Sequence, residues 1–399
     1  MTDTNDSKSL YFTRRTALKT LVAGASLIAS PAVLRHGLAH AGQTIKIGVV
    51  QPFSGGLELF GNQAKLGLEL AAAEINAAGG VLGQKVSLLY EDEKTDPKTA
   101  VERAVSLIRK EKVLAISGPI TSNSRDAMMP TMSRYKTPLL YATNYEGGGC
   151  DRYLFSFNTV PNQELDKLLP EMKERAGDSF YMFGADYVWP QKMFDAAEKI
   201  VSGFGGTVKG KELTPWGVKD FTPVIRRIQD SGAKVLVFAL PGADGITFIR
   251  QAEELGLLKT CTVAFLGFAE TYLGAFGEGK GQNMWVTVPF VASSTDAGAQ
   301  VFTQKIGKLA GAGVPISHYA FTHYNSLIAT AKALEKAGKV DPEALIDNLE
   351  GLTFSSPTGE ITIGKDHHVT MPMYLAKTEG AGLVTVSALG TIAPIPGCA

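Results

Sequence analysis

The residues able to do chemistry in this chain stand in short loops that follow apolar runs. Thr121-Ser122-Asn123-Ser124 marks the place where one such run gives way to a helix-period stretch. Free backbone N–H groups and side-chain hydroxyls meet there, a combination that suits a carboxylate or carbonyl oxygen as well as it suits ordinary helix capping. Tyr141 and Thr143 follow a neighbouring run, Phe53 an earlier one, and Tyr187 with Trp189 a later one beside Pro190. Aromatic rings in such loops serve either as core or as the walls of a closing cleft. Asp244, between Gly242 and Gly245, is a turn former or a counter-charge for a ligand ammonium. Asp186 reads as the cap of the turn that aims Tyr187. This is binding chemistry, with polar groups to orient a guest and rings to enclose it.

Machinery for catalysis is not visible. His318 and His323 are five apart, off the i,i+4 spacing of a helix face and outside any His-Glu-x-x-His motif, and His367-His368 adds only a pair. The sequence has no Gly-x-Ser-x-Gly elbow, no Gly-x4-Gly-Lys-[Ser/Thr] loop and no strand-linked Gly-x-Gly-x-x-Gly. The expectation is a protein that is not an enzyme, with no metal and no cofactor. The competing classes are an exported enzyme and a ligand sensor that docks on another protein.

The elements that must position these loops alternate strand and helix. Residues 44–50, 85–91, 113–118 and 138–142 read as strands, with helices near 64–78, 97–110 and 124–134. Leu66, Leu70, Ala73 and Ile75 recur at helical spacing while Lys65, Glu69 and Glu74 fall elsewhere, so that helix buries one face and stops at Gly79-Gly80. A second set follows: strands at 180–184, 207–213, 235–239 and 262–266, with helices at 191–204, 222–231 and 245–254. Residues 284–290 read as a further strand, 317–338 and 342–349 as helices, and 355–388 as short antiparallel strands. The fold class is α/β, two Rossmann-like lobes with parallel sheets joined by a hinge crossed several times, at 156–161, 286–290 and 354–361. The lobes are 42–157 with 290–353, and 158–289 with 354–399. In such sheets ligands bind beyond the carboxyl ends of the strands, which is where the loops above lie.

Composition narrows the partners. Acidic and basic residues balance at 39 each with no block of like charge, against a nucleic-acid footprint and for a neutral or zwitterionic small molecule. Cys150, Cys261 and Cys398 allow at most one disulfide, whose pairing the spacing does not name. Arg14-Arg15, an apolar run over 21–34 and Ala39-His40-Ala41 occur in the order of a twin-arginine export signal cleaved near Ala41, with Ala17 where a Phe is usual.

Ile47-Gly48-Val49 with Phe53-Ser54-Gly55, the run from Ala73 to Gly83, Tyr145-Glu146-Gly147, Pro161-Asn162-Gln163, Ala185 to Pro190 and Pro357-Thr358-Gly359 resemble the type I periplasmic solute-binding proteins of ABC importers. That family includes the branched-chain amino acid, urea and short-chain amide binders. The resemblance spans nearly the whole mature chain. It implies a periplasmic monomer that captures a small polar nitrogenous solute, an amino acid of the branched-chain type, and delivers it to an inner-membrane ABC permease. Ser122 and the residues around Thr143 would hold the ligand from the first lobe, while Tyr187 and Trp189 close from the second and Asp244 takes the ammonium; Thr121, Tyr141 and Phe53 are further ligand-binding candidates from their own positions after the strands. Tyr145-Glu146-Gly147, Pro161-Asn162-Gln163 and Asp186-Tyr187-Val188-Trp189-Pro190, with the His367-His368 pair, lean instead toward the urea and amide branch. Ile120 departs from that branch, which carries an aromatic there, and so does Ala142-Thr143-Asn144.

Overall fold

A computed structural model describes residues 44–311 and 313–398, so the expected export signal lies outside the described residues. The chain begins with β1 (Thr44–Gln51), whose side chains are buried on both faces from Ile47 onward, as befits a central parallel strand. α1 (Glu58–Ala77), β2 (Lys85–Asp92), α2 (Pro97–Ser106), β3 (Ala115–Ser117), α3 (Ser122–Tyr135), β4 (Leu139–Tyr141) and β5 (Leu154–Ser156) follow. The five strands pair in parallel in the order β2-β1-β3-β4-β5.

The second lobe repeats the plan. α4 (Pro161–Ala176) leads into β6 (Ser179–Ala185), α5 (Val188–Gly203), β7 (Thr207–Thr214), α6 (Thr222–Ser231), β8 (Val235–Ala239), α7 (Gly242–Glu254), β9 (Thr262–Phe265), α8 (Thr271–Phe276) and β10 (Trp285–Val288). Its parallel order, β7-β6-β8-β9-β10, matches the first lobe strand for strand. In each lobe the order reverses beside the first strand, so a crevice opens at β1/β3 and another at β6/β8.

The chain then returns to the first lobe through α9 (Ala297–Ala310), α10 (His318–Ala337) and α11 (Pro342–Leu349), and ends in β11 (Thr353–Ser356), β12 (Gly359–Ile363), β13 (Val369–Glu379) and β14 (Gly382–Ile392). α10 lies against α1 closely enough that a Cβ on Gly67 would stand 2.0 Å from the Ala320 carbonyl oxygen. Ile47, Leu68, Phe321, Leu334 and Ile346 form one core with Phe354, Ile361, Ile363 and Met371.

The lobe boundary therefore departs from the expected one. The β11–β12 hairpin packs with the first lobe, and the third crossing is β13 rather than 354–361. Thr370 of β13 pairs with β12 while Tyr374–Lys377 pair with β10. Eleven extended residues span roughly 36 Å, enough for one strand to serve both lobes. α4 and α9 also lie outside the helices expected from periodicity; α4 carries Pro170 in its interior, which masks an otherwise regular Leu165, Leu168, Leu169, Met172 face.

Among the cysteines, Cys150 and Cys398 are joined and Cys261 is buried and free. The tail after β14 runs past α4, where Asn162 bonds the Ala393 carbonyl and the Ile395 N–H, to the first lobe, where Gly148 N–H donates to Pro396 O at 2.6 Å. The disulfide fastens this fourth crossing.

Candidate functional site

Loops from the carboxyl ends of both sheets face each other across a nearly closed cleft with a cavity of about 20 Å³. Its walls are Phe60 from the start of α1, Ile120 and Ser122 after β3, Thr143 and Asn144 after β4, Tyr187 and Trp189 after β6, Pro241 after β8, Gly267 after β9, and Tyr319 from α10. None of these side chains is ionisable near neutral pH.

The lobes touch at the mouth. Ala243 N–H of the second lobe donates to Gly56 O of the first at 3.1 Å. Gly242 beside it has φ +71°, and a Cβ there would meet Gly56 O at 2.3 Å, so only glycine allows this approach. Its own N–H donates to the Tyr272 hydroxyl at 2.7 Å, and Phe60 packs edge-on against both Tyr272 and Tyr319.

Of the residues singled out from sequence, Ser122, Thr143, Tyr187 and Trp189 line this cleft together. Tyr187 sits between Trp189, 6.3 Å away, and Trp216 at 5.6 Å, making a ladder of rings from cavity to mouth. Trp189 Nε1 is buried and has no partner among the described residues.

The other four residues are placed elsewhere. Thr121 caps α3, accepting from Ser124 N–H at 3.2 Å. Tyr141 is fully buried beneath the floor, its hydroxyl donating to Ile120 O at 2.8 Å. Phe53 turns its ring toward Tyr90 on the outer edge of the first lobe, 6.0 Å between centroids. Asp244 stands at the rim with Gly55, Gly56, Lys94 and Trp216, and its carboxylate accepts from Gly217 N–H at 2.7 Å.

Sequence reasoning passed over Phe60 and Tyr319. Phe60 lies ahead of the helix expected at 64–78 and Tyr319 falls within the one expected at 317–338, and nothing local distinguishes a ring that borders a cavity from one that fills it. Behind the lining lies a charged layer. Arg125, with a side chain 4 % exposed, donates to Glu146 at 2.7 Å and to Asp126 at 2.8 Å, and lies 4.5 Å over the Tyr145 ring. Ser122 Oγ donates to the other Glu146 oxygen at 2.6 Å. Tyr319 donates to Asn144 Oδ1 at 2.7 Å. Beyond Asn144, burial pushes the Glu164 carboxyl up to about 7, against a hydrogen bond from Thr159 that favours its charged form.

The histidines are structural fixtures of this layer and the hinge. Burial pulls His318 and His323 down to about 4, so both are neutral at pH 7. His318 Nε2–H donates to Phe268 O at 3.0 Å; His323 Nδ1–H donates to Tyr319 O, leaving Nε2 to accept from Gln51 at 3.0 Å. His367 stacks on Phe155 with centroids 3.9 Å apart, and His368 bonds the Tyr145 hydroxyl. Gln163 caps α4 and donates to Val369 O and Ile392 O. Tyr145, Gln163 and His367-His368, which from sequence leaned toward a urea or amide pocket, thus knit the hinge.

The chain is similar to known proteins over most of its length. The family model for the periplasmic binding proteins matches residues 44–382. A Leu/Ile/Val-binding protein homolog of Brucella melitensis is 24% identical over 340 residues, 83% of this chain and 90% of that protein. The leucine-, isoleucine-, valine-, threonine- and alanine-binding protein of Pseudomonas aeruginosa is 25% identical over 334 residues, 80% of this chain and 86% of that one. Among solved structures, a solute-binding protein of an ABC transporter from Rhodopseudomonas palustris, in complex with p-hydroxybenzoic acid, superposes with a TM-score of 0.80 at 25% identity, covering 88% of this chain and 97% of the other. A branched-chain amino acid binding protein of Streptococcus pneumoniae with isoleucine has a TM-score of 0.77 at 22% identity over 88% of this chain and 100% of the other.

Proposed function

The chain belongs to the periplasmic binding protein family, the substrate-binding proteins of ABC transporters that work outside the cytoplasm, and from that premise we propose that it captures a small aromatic monocarboxylate between its lobes. It hands that solute, as a monomer, to an inner-membrane permease. Ser122, Thr143, Tyr187 and Trp189, with Phe60, Asn144 and Tyr319, are the proposed contacts.

The carrying observation is the lining itself: rings from both lobes, an unpartnered buried indole N–H, and no ionised side chain. A flat ring would stack among Phe60, Tyr187, Trp189 and Tyr319 once the lobes part to admit it. The buried donors Trp189 Nε1 and Asn144 Nδ2, without partners among the described residues, call for an acceptor on the guest. An ammonium, in contrast, loses its hydration unless a carboxylate meets it, and Asp244 stands at the rim with its oxygen on Gly217.

The second reading, a branched-chain amino acid, is supported by the names of the relatives. In it the ammonium relies on neutral acceptors in the cleft, or the rim closes further and brings Asp244 inward. Titration calorimetry of the processed protein with benzoate, 4-hydroxybenzoate, leucine, isoleucine, urea and acetamide tests both. Micromolar or tighter binding of the benzoates with none for the amino acids is the expected result. Binding of leucine or isoleucine alone establishes the second reading, and binding of urea or acetamide alone removes both.

A further inference from the structure

The polarity of Ser122 is set from behind. A serine hydroxyl has one hydrogen, and here it lies on Glu146 Oε2 at 2.6 Å. Glu146, its side chain 5 % exposed, is ion-paired with Arg125 at 2.7 Å and therefore accepts and does not donate. Arg125 Nη1 donates to the same Ser122 oxygen at 3.4 Å, and the Tyr141 hydroxyl beside it has its own hydrogen on Ile120 O. With its hydrogen committed and one lone pair used, Ser122 offers the cleft a lone pair and no hydrogen.

We infer that Glu146 is a specificity-determining residue, which holds Ser122 as an acceptor so that the cleft selects a solute carrying a hydrogen-bond donor on that side. This rests on the cleft being the binding site, as proposed above. A carboxylate oxygen facing Ser122 Oγ meets a lone pair and is disfavoured; a phenolic hydroxyl or an ammonium is accepted. The guest then carries an acceptor for Trp189 Nε1 and a donor for Ser122. A hydroxylated aromatic acid has both, and an amino acid is the other source of a donor.

Two matched pairs test it by calorimetry on the processed protein: 4-hydroxybenzoate against benzoate, and leucine against 4-methylpentanoate. In the parent protein the donor-bearing member of a pair binds about tenfold tighter. Ser122→Ala removes that preference and leaves the member without a donor within about threefold. Glu146→Gln, whose amide donates to Ser122 Oγ, frees the hydroxyl hydrogen toward the guest and shifts the preference toward the member without a donor. Asp126 remains as a counter-charge for Arg125, and circular dichroism checks the fold of each variant. The pair that responds identifies the donor as phenol or ammonium. If Ser122→Ala weakens both members of a responding pair equally, the inference is overturned while the cleft stands. Should the parent protein bind none of the four, the proposed solute class falls and the inference with it.

Discussion

At the scale of single residues, energy in this cleft resides in rings and in hydrogen atoms already committed. Trp189 and Tyr187 present large surfaces to the cavity, so replacing either by alanine is expected to weaken the bound solute by roughly 2 kcal/mol, about 30-fold. Calorimetry reads this directly, and an unchanged Kd removes the ring from the site. Asp244→Asn is expected to leave aromatic-acid affinity within about threefold, because the Gly217 N–H holds that carboxylate at the rim; a loss beyond tenfold returns Asp244 to the pocket. Glu270 is a different case. It is buried where α8 begins with no hydrogen-bond partner for either carboxyl oxygen among the described residues, and burial pushes its carboxyl up to about 8. Its unfolded value is about 4.3, so the folded state holds the proton more tightly. The associated stability is complete below about pH 4 and drains away as pH rises through 8. Glu270→Gln should therefore raise Tm at pH 8.5 relative to pH 5 by roughly 2–4 °C compared with the parent protein. Parallel Tm curves for the two proteins would contradict the assignment.

At the scale of elements, closure depends on places where a backbone has no room for a side chain. Gly242 begins α7 at φ +71° with its missing Cβ aimed at Gly56 O and Leu57. Gly242→Ala adds about 1 kcal/mol of backbone strain and a clash that exists only when the lobes meet. The expected outcome is at least a tenfold loss of solute affinity with a Tm within about 3 °C of the parent protein. A large fall in Tm with affinity intact means that the glycine serves the fold of α7 and not the closure. Gly67 acts inside one lobe: its α1 backbone lies on Ala320 of α10, the helix that carries Tyr319 into the cleft. Helix packing in the first lobe thus places a ring that the sequence-local loops do not supply.

At the scale of the molecule, the lobes are linked at β5–α4, after β10, through β13 and by the tail. The Cys150–Cys398 bond closes a loop with a sequence separation of 248, and in the chain-entropy picture such a long loop stabilises by roughly 2–5 kcal/mol. Cys398→Ser should lower the unfolding free energy in urea by that order, and a midpoint unchanged from the oxidised parent protein refutes a stabilising role. Because the strap joins a second-lobe strand to a first-lobe loop, it also limits how far the lobes part. Solution scattering is expected to show a larger contraction on adding solute to the Cys398→Ser protein than to the disulfide-bonded one.

Most of the strand and helix order, the doubling of the α/β unit and several of the loops that face the cleft were legible in the residues, since apolar period and turn chemistry are local properties. The same locality explains the residues that were placed amiss. Thr121 and Ser122 carry equally good hydroxyls, yet one turns back to cap α3 and the other lines the cavity. Asp244 looks like a counter-charge in its loop, and its distance from the cavity follows from how α7 docks on Gly56. Phe60 and Tyr319 come from helices 259 positions apart that meet because Gly67 lets α1 and α10 touch. By itself, the sequence determined most of the strands and helices of the two α/β units and that their loops would converge, because burial patterning acts through near neighbours along the chain; α4, α9 and β5 escaped it. Only the tertiary structure decided which side of each loop faces the guest, where β13 changes lobe, and which cysteines meet, because those depend on packing between segments hundreds of residues apart.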